Sequence, residues 1–298
     1  MMPACATFVA ARVLVAAVTV APMPARIVVV TEGGVEAYAE AVEGISARLG
    51  GAARVIDIRA PRAAADLSEA MQSRDTQWII AVGSRALAEV ESRKCGLPVI
   101  STMMLRGAAA DVAAQVDLDL PLAVQLGAIR GLLPRASRIG MIRNPARSRA
   151  GADVLESQAR KEGYTAVVED CDGPARLLRV LASLRNRIDV LLCFPDPDLY
   201  NGATIPPLVM AAIEYRLPVF GFSAAFVHAG AAAGVYPDYR AMGWQTADLA
   251  LRLQKGDLKT EATPVEEFPS KERVAVNQRI LRLLGLDFRV PAGVEVFR

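Results

Sequence analysis

From residue 26 onward, short aliphatic and β-branched runs alternate with longer amphipathic stretches. This rhythm leaves the chain few architectures. RIVVV (26–30), RVIDI (54–58), WIIAVG (78–83) and LPVIST (97–102) are largely apolar along their length. Strands of that kind need cover on both faces, which is the condition of a parallel sheet between helical layers. Helix-like stretches fall between them at 35–49, 62–73 and 84–93. The first carries apolar residues at Val35, Ala39, Val42 and Ile45, spaced to share one helical face. Ser84 is placed to cap the third.

After QVDLDLP (115–121) the rhythm restarts. Helices at 121–133, 150–162, 174–186 and 205–216 are interleaved with RIGMI (138–142), AVVED (166–170), DVLLCF (189–194), PVFGF (218–222) and AAAGVY (231–236). We expect an α/β fold of two Rossmann-like lobes with parallel sheets, the chain crossing between them near 115–120. A chain of 298 residues suffices for two lobes of ordinary size. Open parallel sheets bind ligands beyond the carboxyl ends of their strands. Those ends carry Thr31, Glu32, Ser84, Ser101, Thr102, Asn144, Asp196 through Asn201, and Ser223. All are candidate contacts to a ligand held in a cleft between the lobes.

Several function classes are disfavoured. The formal charge is +2, the basic residues are dispersed and only 5% of residues are aromatic, so no nucleic-acid partner is expected. Four cysteines without a C-x-x-C pair and one histidine, His228, leave little from which to build a zinc site. No glycine-rich nucleotide fingerprint and no G-x-S-x-G elbow occurs, and no cofactor is expected. Ser223 lies five residues before His228; it is better placed to line a ligand site than to act as a nucleophile.

FPDPDLYNGATI (194–205) contains the densest polar cluster. Asp196 and Asp198 admit three readings: ligand contact, loop or helix capping, and acid/base or metal chemistry. Pro195 and Pro197 stiffen the backbone between them, which suits a preorganised binding loop. Asp196 is the candidate clamp, Asp198 faces solvent or complements the next helix, and Tyr38, Tyr200, Phe222 or Phe226 offer an apolar wall. The glycine pair Gly33-Gly34 and the turn at Ser84 offer helix N-termini to an anionic group. At the other end of the chain, residues 1–25 carry Arg12, an apolar stretch at 13–20 and a small-residue and proline segment, the pattern of a secretory signal peptide.

Four stretches, RIGMIRNPARS (138–148), FPDPDLYNGATI (194–205), LPVFGFSAAFVHAGAAAGVYPDYRAMGWQTADLALRLQKGD (217–257) and VAVNQRILRLLGL (274–286), carry a resemblance. They resemble the ABC-transporter substrate-binding family whose better-known members bind tryptophan, tyrosine or phenylalanine. The resemblance runs from about Arg138 to Leu286 and fades in 26–117. It implies the type I periplasmic-binding fold, with lobe 1 formed by 26–117 plus about 240–257. Lobe 2 is then 118–239 plus about 258–298. It also implies a non-catalytic, monomeric, periplasmic protein that closes on a small molecule and is recognised by ABC permease subunits. The family pattern places ligand contacts at Thr31, Glu32, Ser84, Ser101, Thr102, Asn144 and the Asp196–Asn201 loop. Amino-acid-binding members often have adjacent Asp-Asn in that loop; here Pro197 to Tyr200 intervene, and Arg147 stands where many members carry an acid or a neutral polar residue. A ligand-sensing module of the same fold and a two-lobed transferase remain as alternatives.

Overall fold

The computed structural model describes residues 27–50, 53–105, 111–148, 150–258 and 264–297; the expected export segment lies outside them. The first lobe opens β1 (Ile27–Thr31), α1 (Glu36–Leu49), β2 (Ala53–Asp57), α2 (Ala63–Gln72), β3 (Trp78–Val82), α3 (Ser84–Glu91), β4 (Val99–Met104) and β5 (Ala114–Asp117). Then come α4 (Leu122–Leu132), β6 (Arg138–Arg143), α5 (Ala152–Lys161), β7 (Thr165–Asp170), α6 (Pro174–Leu184) and β8 (Val190–Leu192). The second lobe continues with α7 (Ile205–Glu214), β9 (Val219–Gly221), α8 (Ala224–His228) and β10 (Ala233–Pro237). The C-terminal part supplies α9 (Tyr239–Lys255), β11 (Val265–Glu267), β12 (Glu272–Asn277), α10 (Gln278–Leu283) and β13 (Glu295–Phe297).

These strands form two sheets, as the alternating pattern requires. The first runs β11-β5-β4-β3-β1-β2 and is parallel throughout. The second runs β13-β12-β10-β9-β8-β6-β7, with β12 antiparallel to β10. Alternation along each strand feeds two cores per sheet. Ile27 and Val29 of β1 pack towards α1 and α9, while Val28 and Val30 pack towards α2 and α3. In β8, Val190 and Leu192 enter one core of the second lobe and Leu191 the other.

The chain passes between the sheets at 118–121, at Asp238 and at 268–271. Helix α9 returns to the first lobe and lies on α1. A Cβ on Gly243 would sit 1.9 Å from Ala41 O, so the two helices meet backbone to backbone. The return to the second lobe comes later than the expected residue 258, because β11 first pairs with β5 as the edge of the first sheet. Gln245 of α9 fixes the passage that follows. Its Nε2 donates to Glu267 Oε2 (2.9 Å) and Phe268 O (3.0 Å), and its Oε1 accepts from Ser270 N at 2.9 Å. Near the second passage, Arg273 of β12 reaches Glu40 of α1 at 3.1 Å, an ion pair between the lobes.

Candidate functional site

Ends of adjacent strands in the second lobe carry the same local device. Beyond β6 stands Asn144-Pro145, and beyond β8 stands Asp196-Pro197. An Asn or Asp before a proline favours a turn closed by its own side chain. Asn144 Oδ1 accepts from Ala146 N at 3.0 Å. Asp196 Oδ1 accepts from Asp198 N (2.9 Å) and Leu199 N (3.1 Å). Both side chains are buried, at 5% and 7% exposure. Each turn therefore engages one terminal atom of its side chain. Asn144 Nδ2 and Asp196 Oδ2 have no hydrogen-bond partner among the described residues.

Both residues line a cavity of about 750 Å³. Leu105, the passage residues Asp119 to Leu122, and Phe268 close it on the side facing the first lobe. Ile142 to Asn144, Ala146 to Ser148, Phe194 to Pro197 and the α5 face at Leu155 and Gln158 form the second-lobe wall. The wall is mostly apolar with a few convergent polar groups, the usual character of a small-molecule site. Its arginines are engaged. Arg143 pairs with Asp170 at 2.6 Å and donates to Ala150 O at 2.9 Å. Arg147 grips Asp198 through two bonds of 2.8 and 3.3 Å, so Asp198 faces its neighbouring loop.

The first-lobe edge is arranged differently. Asp57, at the end of β2, accepts from Arg59 N (2.9 Å) and Gly33 N (2.8 Å). Those two N–H groups hold its carboxyl below the ordinary range. The Gly33 donor expected to meet an anion is therefore already bonded, and α1 begins only at Glu36. Glu32 forms an ion pair with Arg85. Gly83, not Ser84, occupies the cap position of α3, with φ 88°. A Cβ there would lie 2.6 Å from the Tyr38 ring, so glycine is what admits that ring. Burial first, and the Glu32 carboxylate second, raise the Tyr38 hydroxyl pKa.

Of the expected contacts, Asn144 and Asp196 are brought together. Thr31, Glu32 and Ser84 stand at the ends of β1 and β3 and do not line this cavity. Several others are engaged in the scaffold. Thr102 is fully buried and accepts from Thr246 Oγ1 of α9 at 3.0 Å. Ser101 is buried against Gln115, at 3.3 Å. Tyr200 and Phe226 are core residues rather than an open wall. They pack with Phe222 at centroid distances of 5.3–6.1 Å, and the Tyr200 hydroxyl donates to Ile142 O. Ser223 Oγ caps α8 by accepting from Phe226 N, while His228 packs on Phe297. Asn201 closes its own turn with Ala203 N and Pro197 O.

Sequence reasoning missed Phe194 and Phe268, which line the cavity, and Asp57, which holds the turn after β1. An acid at the end of β2 beside a Gly-Gly turn was the available signal for Asp57. Phe268 lies outside any strand or helix, and only the passage between lobes brings it to the cavity.

Residues 61–289 match the family described as ABC transporter substrate binding protein. The tyrosine-binding protein of Clostridioides difficile is 26% identical over 160 residues, which is 53% of this chain and 45% of that protein. The match thus spans under half of the curated relative. Among solved structures, a ligand-free, open substrate-binding protein with adhesive properties from Clostridium difficile superposes with TM-score 0.66. It is 19% identical, with 91% of this chain and 98% of the other covered. A Streptococcus pneumoniae protein in complex with L-Trp gives TM-score 0.58 at 18% identity, covering 92% and 100%. These likenesses agree with the type I periplasmic-binding arrangement of the two sheets, and the family match covers most of the chain. This chain belongs to the ABC transporter substrate-binding protein family.

Proposed function

We propose that this protein is the extracytoplasmic solute receptor of an ABC importer and traps a small polar or amino-acid-like molecule between its lobes. The observation that carries this is the cavity beside the lobe passages, into which two buried side chains each present one unengaged polar atom. Nothing in the arrangement calls for chemistry. Asp198 is paired with Arg147 rather than poised beside Asp196 as an acid/base partner, and no cluster of three or more metal-ligating side chains occurs among the described residues.

Function then follows from the hinge. A ligand touching both walls favours the closed form by the difference in its affinity for the two states. The closed pair of lobes is the surface a permease reads. The relatives that bind tyrosine or L-Trp support an amino-acid-like solute. No described helix is long and apolar enough to cross a membrane, which suits a receptor delivered to a separate permease.

Small molecules released from the purified, denatured protein should be identified by mass spectrometry and titrated back by calorimetry. Losing the charge-assisted bond of Asp196 should weaken the recovered ligand by roughly 1.5–3 kcal/mol, about ten-fold or more. A ligand bound equally well by Asp196→Asn would remove Asp196 from the site.

A further inference from the structure

We infer that Asp198 is a positioning residue of the binding site. By holding the Arg147 guanidinium, it keeps that side chain from closing on Asp196 and filling the place left for a solute. The inference rests on the solute-receptor reading and gives a role in it to an ion pair outside the proposed contacts.

Two carboxylates and one cation meet at the ends of β6 and β8. Arg147 belongs to the first turn, where its N–H donates to Asn144 O at 3.0 Å. Asp196 and Asp198 belong to the second, where Asp198 N lies 2.9 Å from Asp196 Oδ1. Arg147 Nε and Nη2 donate to Asp198 Oδ2 and Oδ1, at 2.8 and 3.3 Å. Arg147 lines the cavity, and Asp198 does not. The guanidinium is thus held at the rim by a group that stands outside it. Asp198 raises the guanidinium pKa most, through its hydrogen bonds and then its charge, and the field of Asp196 adds last. Both acids act on the same cation.

They compete for it on different terms. Asp196 is 7% exposed, and attraction between charges is stronger where water is excluded. Its Oδ1 is taken by Asp198 N and Leu199 N, so it can offer Arg147 only Oδ2. Asp198 offers both oxygens in the fork geometry that a guanidinium matches. The paired side chains are 59% and 44% exposed, and an ion pair so exposed adds little to stability. Its consequence is instead the direction in which the guanidinium points. Without Asp198, the other acid acting on Arg147 is Asp196, through the one oxygen that its turn leaves to the cavity. Arg147 would then satisfy that oxygen from within the chain, in the place of a solute.

The test uses the full chain in four forms: wild type, Asp198→Ala, Arg147→Gln and the double variant. In a crystal structure of ligand-free Asp198→Ala, the Arg147 guanidinium should lie about 3 Å from Asp196 Oδ2. A guanidinium turned to solvent overturns the inference. Calorimetry with L-tyrosine and L-tryptophan supplies the second readout. For whichever binds, Asp198→Ala should weaken affinity about ten-fold with Arg147 present, and at most about two-fold in the Arg147→Gln background. A pair that merely braced the two turns would lose affinity equally from either single variant, with no rescue in the double variant; that result overturns the inference. Should Asp198→Ala fail to fold, Asp198→Asn carries the same comparison. If neither amino acid binds, the crystal structure decides, since it needs no ligand. A guanidinium at solvent, with affinity lost in Asp196→Asn, overturns the inference and leaves the solute-receptor reading intact. Affinity retained in Asp196→Asn overturns it from the other side, because Asp196 then holds no solute.

Discussion

Strand β8 has an aspartate at each end, and the protein treats the two in opposite ways. Asp189, just before the strand, accepts from Ser137 N (3.0 Å), Arg138 N (2.9 Å) and the Arg138 guanidinium (2.6 and 3.0 Å). Burial alone would raise its pKa, but the Arg138 side chain and these N–H groups outweigh it and bring it to about 2. Asp196, just beyond the strand, uses one oxygen for its own turn and presents the other to a cavity. The same residue type is scaffold where every acceptor is matched, and a contact group where one is left over. The lobes divide along this line. The first-lobe edge matches Asp57 with Gly33 and Glu32 with Arg85, whereas the second-lobe edge leaves Asn144 and Asp196 incomplete.

If the first-lobe edge is a finished scaffold, disturbing it should cost stability before it costs recognition. The largest effect is expected at Gly83, whose φ of 88° and contact with Tyr38 both exclude a side chain. Gly83→Ala should lose roughly 3 kcal/mol in urea unfolding, combining backbone strain with overpacking. A loss below about 1 kcal/mol would show that Tyr38 can move aside. Next, Thr102→Val removes the bond from Thr246 and should cost about 1 kcal/mol with ligand affinity unchanged. Altered affinity would return Thr102 to the binding site.

The smallest effect concerns the matched aspartate. Asp189 titrates at about 2 in the folded protein, below its ordinary 3.8. Its stabilisation is therefore present above pH 4 and is lost as the pH falls through 2. Asp189→Asn should flatten the acid limb of the stability–pH curve in that window. An unchanged limb would mean that Arg138 and the backbone donors do not favour the charged form.

Much of this organisation was legible in the chain. Apolar runs such as WIIAVG and RIGMI marked strands covered on both faces, and the restart after QVDLDLP marked the second lobe. Asn-Pro and Asp-Pro at strand ends marked the turns that hold Asn144 and Asp196, because turn chemistry is local. The aromatic residues were less legible. Tyr200 and Phe226 look like ligand walls when polar neighbours flank them, but whether a ring faces a cleft or a core depends on distant partners, here Ile142 O and Phe222. The engagement of Thr102 was illegible for the same reason: its partner, Thr246, lies 144 residues on. Strand β11 escaped notice because a three-residue edge strand carries almost no periodic signal.

Alternation of apolar and amphipathic segments, together with local turn chemistry, was enough by itself to determine two lobes with mostly parallel sheets and a polar loop after β8. Tertiary structure decided which of those polar atoms stay unmatched. Hydrogen-bond satisfaction depends on what the fold brings within about 3 Å, and that distance is set by packing between segments far apart in the chain.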